Sequence, residues 1–454
     1  MYNHCSKKKA WVTKMSMKYD LTKDSVGKLF SHYVFMSAAG LMVLSVHIIL
    51  DGIFIGHGIG SKGLAAINIA GVIFPFLNAI AFTIGFGAAA AISIEFGEKK
   101  EKKANNIFNQ AFALSVIVSL IYTILCVVFI DKMVYLLGSN ETLFQGVKDY
   151  LLTFSYFSFF YVSVLVFEGA VRNDGEPRKS MMSLILGAVT NGILDYIFIF
   201  IFHWGLKGAA FATGIGQIVS FAYLIFHFLL HKGKLHFCRP KFDLIDIHRI
   251  LKNGLPNFIS QISITLVIIA GNWIVIDMLG ETGVAAFSIL LYVNEFMILG
   301  FQGISEALQP LVSFNYGAKE YNRVKAIVRL SVYMSLAIGV IMLLLSILKP
   351  EFVIRFFNDE QSLIDLTSHA MRLFFIGILF TGINMIYAAY FQAIERAKLS
   401  NTIQILRGLV FVFLALFTLP KVIGENGIWI SVPVAESLTF IVTILLIKSN
   451  KLSS

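Results

Sequence analysis

Charge is scarce in this chain: 14% of its 454 residues are Asp, Glu, Lys or Arg, where a soluble domain carries about a quarter. The length would allow roughly three soluble domains; the composition excludes them. Cysteine is scarcer still, and Cys5, Cys126 and Cys238 lack the spacing of a disulfide framework or a metal knuckle. No disulfide is expected. The first 28 residues are basic with no apolar stretch ahead of the first long one, so they read as a loose tail and not as a cleavable signal peptide. His227, His231 and His236 have no cysteine or carboxylate cluster beside them and read as interfacial. An intramembrane enzyme needs a nucleophile, a metal cluster or an acid-base pair aligned on substrate, and the cytoplasmic loops offer none.

Apolar sequence is abundant, 57% of residues, and it is arranged in stretches long enough to cross a bilayer. They lie near 31-55, 64-95, 111-130, 150-171, 180-202 and 208-231, and again near 254-279, 283-315, 327-348, 368-394, 401-419 and 427-447. This predicts an all-α membrane protein of twelve helices, with a bend or an extension in the two longest spans. Lysine and arginine set the orientation: the tails and even-numbered loops hold 27 of the 37 basic residues, which places both termini in the cytoplasm. The net charge of +10 is then a topology signal suited to an anionic leaflet, and no nucleic-acid partner is expected.

The second set of spans repeats the first. Gly60, Gly63, Ala65 and Ala66 align with Gly280, Gly283, Ala285 and Ala286 at an offset of 220, which persists to Gly97 over Gly317 and Lys99 over Lys319. Six helices per repeat is an even number, so the copies are parallel and related by a pseudo-twofold axis along the membrane normal. The expected organisation is a tail at 1-28, a six-helix lobe at 29-231, a basic linker at 232-253, a second lobe at 254-448 and a short tail at 449-454. A cleft between the lobes would hold a transported molecule.

Acids inside such spans are functional candidates, because a charge there costs at least a few kcal/mol. Asn191 and Asp195 are four residues apart and share a helix face, and Asp51 and Thr213 fall at a similar depth, about 7 to 11 Å from the outer end at 1.5 Å per residue. These are hard oxygen ligands suited to Na+ or a proton. The repeat positions in the second half are Gly271, Phe411, Ala415 and, at an offset of 219, Val432, so the acids exist in one copy only. In the second half, Glu295 and Glu436 could attract a cationic molecule, and Glu306 is expected to pair with Arg407. The aromatic run 154-161 offers Phe157 and Tyr161 as faces for planar cations.

The motifs D-G-I-F-I-G at 51-56, G-L-A-A at 63-66, N-G-I-L-D at 191-195, G-L-K-G-A-A-F-A-T at 205-213 and E-A-L-Q-P-L-V-S-F-N-Y-G-A at 306-318 resemble those of the multidrug and toxic compound extrusion (MATE) transporters. The resemblance implies a monomeric antiporter with two six-helix lobes in a V shape. It would export cationic, amphipathic drugs in exchange for H+ or Na+, with Asp51, Asn191, Asp195 and Thr213 as its cation site and no other cofactor. A second-lobe site of the kind some members use is not expected, since the helix at 368-394 has no acid. Composition rich in Ile, Lys and Phe points to a bacterial plasma membrane. A lipid or lipid-linked oligosaccharide flippase of related two-lobe fold is the alternative, although it would favour a basic cavity.

Overall fold

The computed structural model describes residues 20–357 and 360–449; Cys5 and most of the basic tail lie outside them. Among the described residues ten helices are long and apolar enough to cross a membrane. Helix Leu244–Gly317 contains two spans, because Gly280 at φ 62° and ψ -156° breaks it, a conformation that glycine adopts without steric cost. The pair Glu141–Ser155 and Ser158–Asn173, bent by 54°, forms one further span.

The spans are therefore α1 (Val26–Gly58), α2 (Lys62–Gly97), α3 (Glu101–Leu136), α4 (the bent pair), α5 (Pro177–Ile201) and α6 (Gly205–Leu229) in the first lobe. The second lobe comprises α7 and α8 (244–279 and 281–317), α9 (Tyr321–Leu348), α10 (Gln361–Ala393), α11 (Ala397–Ile423) and α12 (Glu425–Ser449).

Backbone geometry repeats at the offset read from the sequence. Positive φ occurs at Gly60 and Gly280, Lys99 and Lys319, Gly175 and Glu395, and Gly205 and Gly424. The last pair carries the offset of 219.

Four buried apolar clusters show how the lobes meet. One holds Ile55, Leu77, Leu151 and Ala210 from the first lobe, and another holds Val275, Leu290, Phe374 and Trp429 from the second. The remaining two are mixed: Leu29, Phe30 and Tyr33 of α1 sit among residues of α8 to α11, and Ile250 of α7 sits among those of α2, α3, α4 and α6. The lobes interlock at the end carrying both described termini, here the basic face, and have separate cores toward the other. This is a V open away from the basic face.

Glycines permit that contact. A Cβ on Gly97 would lie 2.2 Å from the carbonyl oxygen of Phe314, and one on Gly317 would lie 2.3 Å from that of Ile94. The two contacts are repeat equivalents and mark where the pseudo-twofold axis passes.

Helical structure resumes at Leu244, ten residues earlier than the span expected from 254. Between the lobes, residues 234–243 run along α3. Asn105 donates to Lys234 O (3.0 Å) and accepts from His236 N (2.8 Å), while Asn109 donates to His236 O (3.0 Å) and accepts from Cys238 N (3.0 Å). Asn106 brackets Lys241 in the same way, and Gln110 accepts from Asp243 N. Side-chain amides thus satisfy backbone groups of the linker as a neighbouring strand would. Asn109→Leu removes two such bonds, each worth about 1 kcal/mol, and is expected to raise the rate of tryptic cleavage after Lys234, Arg239 or Lys241 about thirtyfold, read by limited proteolysis.

Candidate functional site

Asn191 and Asp195 stand one turn apart on α5 and are 2% and 1% exposed. Directly after Asp195 the helix widens into a π-turn, Tyr196–Ile201, a feature that recurs at functional sites. Small residues bring α6 close: a Cβ on Gly216 would lie 2.8 Å from Gly187 O, and one on Gly187 would lie 2.3 Å from Ser220 Oγ. Asn191 can therefore donate to Thr213 Oγ1 (3.3 Å), whose own hydroxyl donates to Ala209 O (3.1 Å).

Asp51 of α1 faces this pair, and its carboxyl interacts side chain to side chain with that of Asp195. Three of the oxygens have no hydrogen-bond partner: Asp51 Oδ1, Asn191 Oδ1 and Asp195 Oδ1 are all buried without one. An orphaned buried acceptor costs about 1–3 kcal/mol, so three in one place point to a ligand that accepts oxygen donors. The donor set is hard and small in number, which fits Na+ or a shared proton. Among the described residues no three His, Cys, Asp or Glu side chains converge as they would on a transition metal.

Two neighbours escaped the sequence reading. His47 lies one turn from Asp51, with Nδ1 3.3 Å from Asp51 Oδ1 but without hydrogen-bond geometry; the i, i+4 spacing was its available signal. Tyr150, buried on the first segment of α4, interacts with Thr213, and no spacing announces it. In the second lobe Phe411, beside buried Val412 and Leu416, packs with Val267, Ile274 and Ala435 in an apolar cluster.

The second-lobe acids do not behave alike. Glu295 on α8 is exposed. Glu436 is 4% exposed and bonded to Arg407 (2.6 and 3.1 Å) and Asn384 (2.7 Å), so it is not open to a cleft molecule in this conformation. The expected Glu306–Arg407 pair is absent. Glu306 lies on the inter-lobe side of α8 and pairs with Arg172 of the first lobe, a partner that depth along the chain could not reveal.

Phe157 packs at the bend of α4 against Gly214 and Phe211. Tyr161 donates to Asn78 Oδ1 at 2.5 Å and stacks edge-on with Phe74 and Phe154. Both rings are committed to the first lobe's packing. His227 is buried rather than interfacial, with Nε2 2.8 Å from Asp174 Oδ2 and Nδ1 2.8 Å from Lys179 Nζ.

The MatE family model matches residues 37–197 and 256–417, once in each lobe. The chain is 23% identical over 434 residues to the multidrug export protein MepA of Staphylococcus aureus strain MRSA252, covering 94% of this chain and 95% of that one. MepA of Staphylococcus saprophyticus is likewise 23% identical over 433 residues, with the same shares covered. Among solved structures, a multidrug resistance MATE family transporter in an outward-facing conformation superposes with a TM-score of 0.89 at 23% identity, covering 95% of this chain and 98% of that one. A MOP superfamily transporter from Pyrococcus furiosus gives the same score and identity, at 94% and 96%. With two lobes matched by one model and nearly the whole length shared with these relatives, the chain belongs to the MATE family of multidrug efflux transporters.

Proposed function

We propose that the protein is a cation-coupled antiporter of the bacterial plasma membrane, exporting cationic, amphipathic drugs in exchange for H+ or Na+. The observation that carries this reading is the set of unpartnered oxygens on Asp51, Asn191 and Asp195, buried in one lobe only. An ion bound there binds the two facing states with different affinity, and only such a difference can drive a conformational equilibrium.

The basic face is cytoplasmic in this reading, with both termini inside, and the protein works as a monomer in contact with membrane lipid. The structure then corresponds to the outward-open state. Ion binding at Asp51, Asn191, Asp195 and Thr213 rearranges the outer halves of α1, α5 and α6 and favours release of the drug outward. Return follows ion release inside. Glu295, exposed on α8, supplies negative charge for a cationic cargo, and Glu436 could do so only if Arg407 moved.

Proteoliposomes loaded with ethidium test this directly under separate Na+ and pH gradients. Efflux driven by at least one inward gradient is expected, with Glu295→Gln altering the range of dyes rather than the coupling. Efflux of labelled lipid without any dye movement would support the flippase alternative and overturn the antiport.

A further inference from the structure

The closed basic face contains a knot of charge that does not balance. Arg172, near the end of α4, forms its ion pair with Glu306 of α8 across the lobe interface, and both side chains are 10% exposed. Glu168 lies one turn earlier on α4 and is 6% exposed; its oxygen Oε1 accepts from Ser183 Oγ at 3.2 Å. Two carboxyls thus share one guanidinium, and the second carboxyl is served only by a neutral hydroxyl.

The charged and titratable groups that act on Glu168 are Arg172 on its own helix and Glu306 from α8. Tyr161 on α4 feels its charge from two turns away. From α5 the contact is the Ser183 hydroxyl, and α2 contributes Gly85 and Ala89, packed against Gly169. α1 brings the Tyr33 hydroxyl, which donates to Arg172 O at 3.5 Å.

Immediately beside the knot the cross-lobe contacts are neutral, and a separate charged contact joins Arg249 of α7 to Glu95 of α2 and to Glu395. Asn173 and Gln309 exchange two hydrogen bonds, at 3.0 and 3.2 Å, and Ser93 donates to Pro310 O at 3.1 Å. Arg172 is the one cation of this knot among the described residues, and it has two acids within reach: Glu306 in the other lobe, and Glu168 at the i, i+4 spacing that suits a pair on one helix.

We infer that Glu168 is a proton site separate from the Asp51–Asp195 pair, and that Arg172 exchanges Glu306 for Glu168 when the basic face opens. With the lobes together, Arg172 neutralises Glu306 and Glu168 carries a proton on its carboxyl, so the buried knot has no net charge. When the lobes part, Glu306 is hydrated by the opening cleft and Arg172 turns back to Glu168, whose proton leaves to water on the basic side. Every acid keeps a partner or gains solvent in both states. The exchange makes the interface bistable and ties one proton to its closure. This rests on the antiport reading only in requiring two lobes that alternate.

The inference fixes opposite signs for two conservative variants. Glu168→Gln keeps the neutral form permanently, so the basic face stays closed. Glu306→Gln removes the partner across the interface, so Arg172 stays with Glu168 and the face opens. A residue that merely supports packing would move both in one direction.

The test uses spin labels at Arg178→Cys and Lys398→Cys, exposed repeat equivalents on the basic side, in full-length protein with Cys5, Cys126 and Cys238 replaced by Ser and reconstituted in lipid nanodiscs. Distances from electron–electron resonance should show an open population growing as pH rises. In Glu168→Gln that population should fall about tenfold at high pH and lose its pH dependence, and in Glu306→Gln it should rise about tenfold at low pH. Labels that never part, a Glu168→Gln response like that of the wild type, or both variants shifting the same way would each overturn the inference. Dye efflux by the labelled wild type, measured alongside, separates this from the antiport: an active transporter with an unshifted Glu168→Gln refutes the Glu168 site alone.

Discussion

Asp195→Asn is expected to lower ion-driven dye efflux about a hundredfold, the loss of roughly 3 kcal/mol of coupling free energy. The change is isosteric, and Asp195 is 1% exposed with one oxygen lacking any partner. Packing should therefore survive. What is lost is the charge that lets Asp51 and Asp195 together hold an ion, because an amide neither ionises nor takes up a proton in this range. Thr213→Ala removes a neutral oxygen only and should cost far less, about fivefold. Stopped-flow efflux of ethidium from proteoliposomes, with size-exclusion profiles as a check on folding, reads both. If Asp195→Asn keeps efflux within threefold of wild type, these oxygens do not couple transport.

The second large effect is expected at the lobe interface. Gly97→Ala places a methyl 2.2 Å from Phe314 O and 2.7 Å from Ala318 N. Both are backbone atoms of a helix and cannot swing aside as a side-chain tip would. Overpacking of this kind typically costs 1–3 kcal/mol, and the chain can avoid the cost by parting its lobes. The closed basic face should lose about tenfold in population, and efflux should fall to a similar extent. Labels at 178 and 398 would report the opening. Gly71→Ala is the control, since a Cβ there meets nothing within 4 Å. Unchanged distances in Gly97→Ala would mean that the interface accommodates the methyl, and that the two repeat-related glycines do not set its closure.

Those glycines also show why much of the fold was legible in the sequence. A residue that must adopt positive φ or admit a neighbouring backbone leaves a mark independent of apolar composition, so Gly60 over Gly280 and Gly97 over Gly317 reported the repeat while the surrounding Ile, Leu and Phe did not. The lone carboxylate of α5 was legible for the opposite reason: it is costly where it lies, and Asn191 at i-4 shares its face. Partners across lobes were not legible. Glu306 could be placed by depth but not by azimuth, and only the crossing of α4 and α8 brings Arg172 to it. His227 looked interfacial because lysines surround it in sequence, yet Asp174 from the end of α4 folds over it. The linker's path was hidden too, since asparagines on an α-helix rarely signal a strand-like partner.

The energetic asymmetry of the two lobes gives these parts a common logic. The first lobe keeps unpaired oxygens at Asp51, Asn191 and Asp195, whereas the second pairs Glu436 with Arg407 and fills the equivalent space with Phe411, Val412 and Leu416. A paired carboxylate is already neutralised and gains little from an ion, so the site whose acids have no lysine or arginine beside them is the one an ion can switch.

The most direct measurement places spin labels at His57→Cys and Lys207→Cys, both exposed near the outer ends of α1 and α6, and follows their separation while Na+ or acid is added to the outer side. The wild type should shift between two distances with one of these ions, and an Asp51→Asn, Asp195→Asn double variant should rest at the ion-bound distance without responding. A double variant that follows the ion as the wild type does would contradict the account.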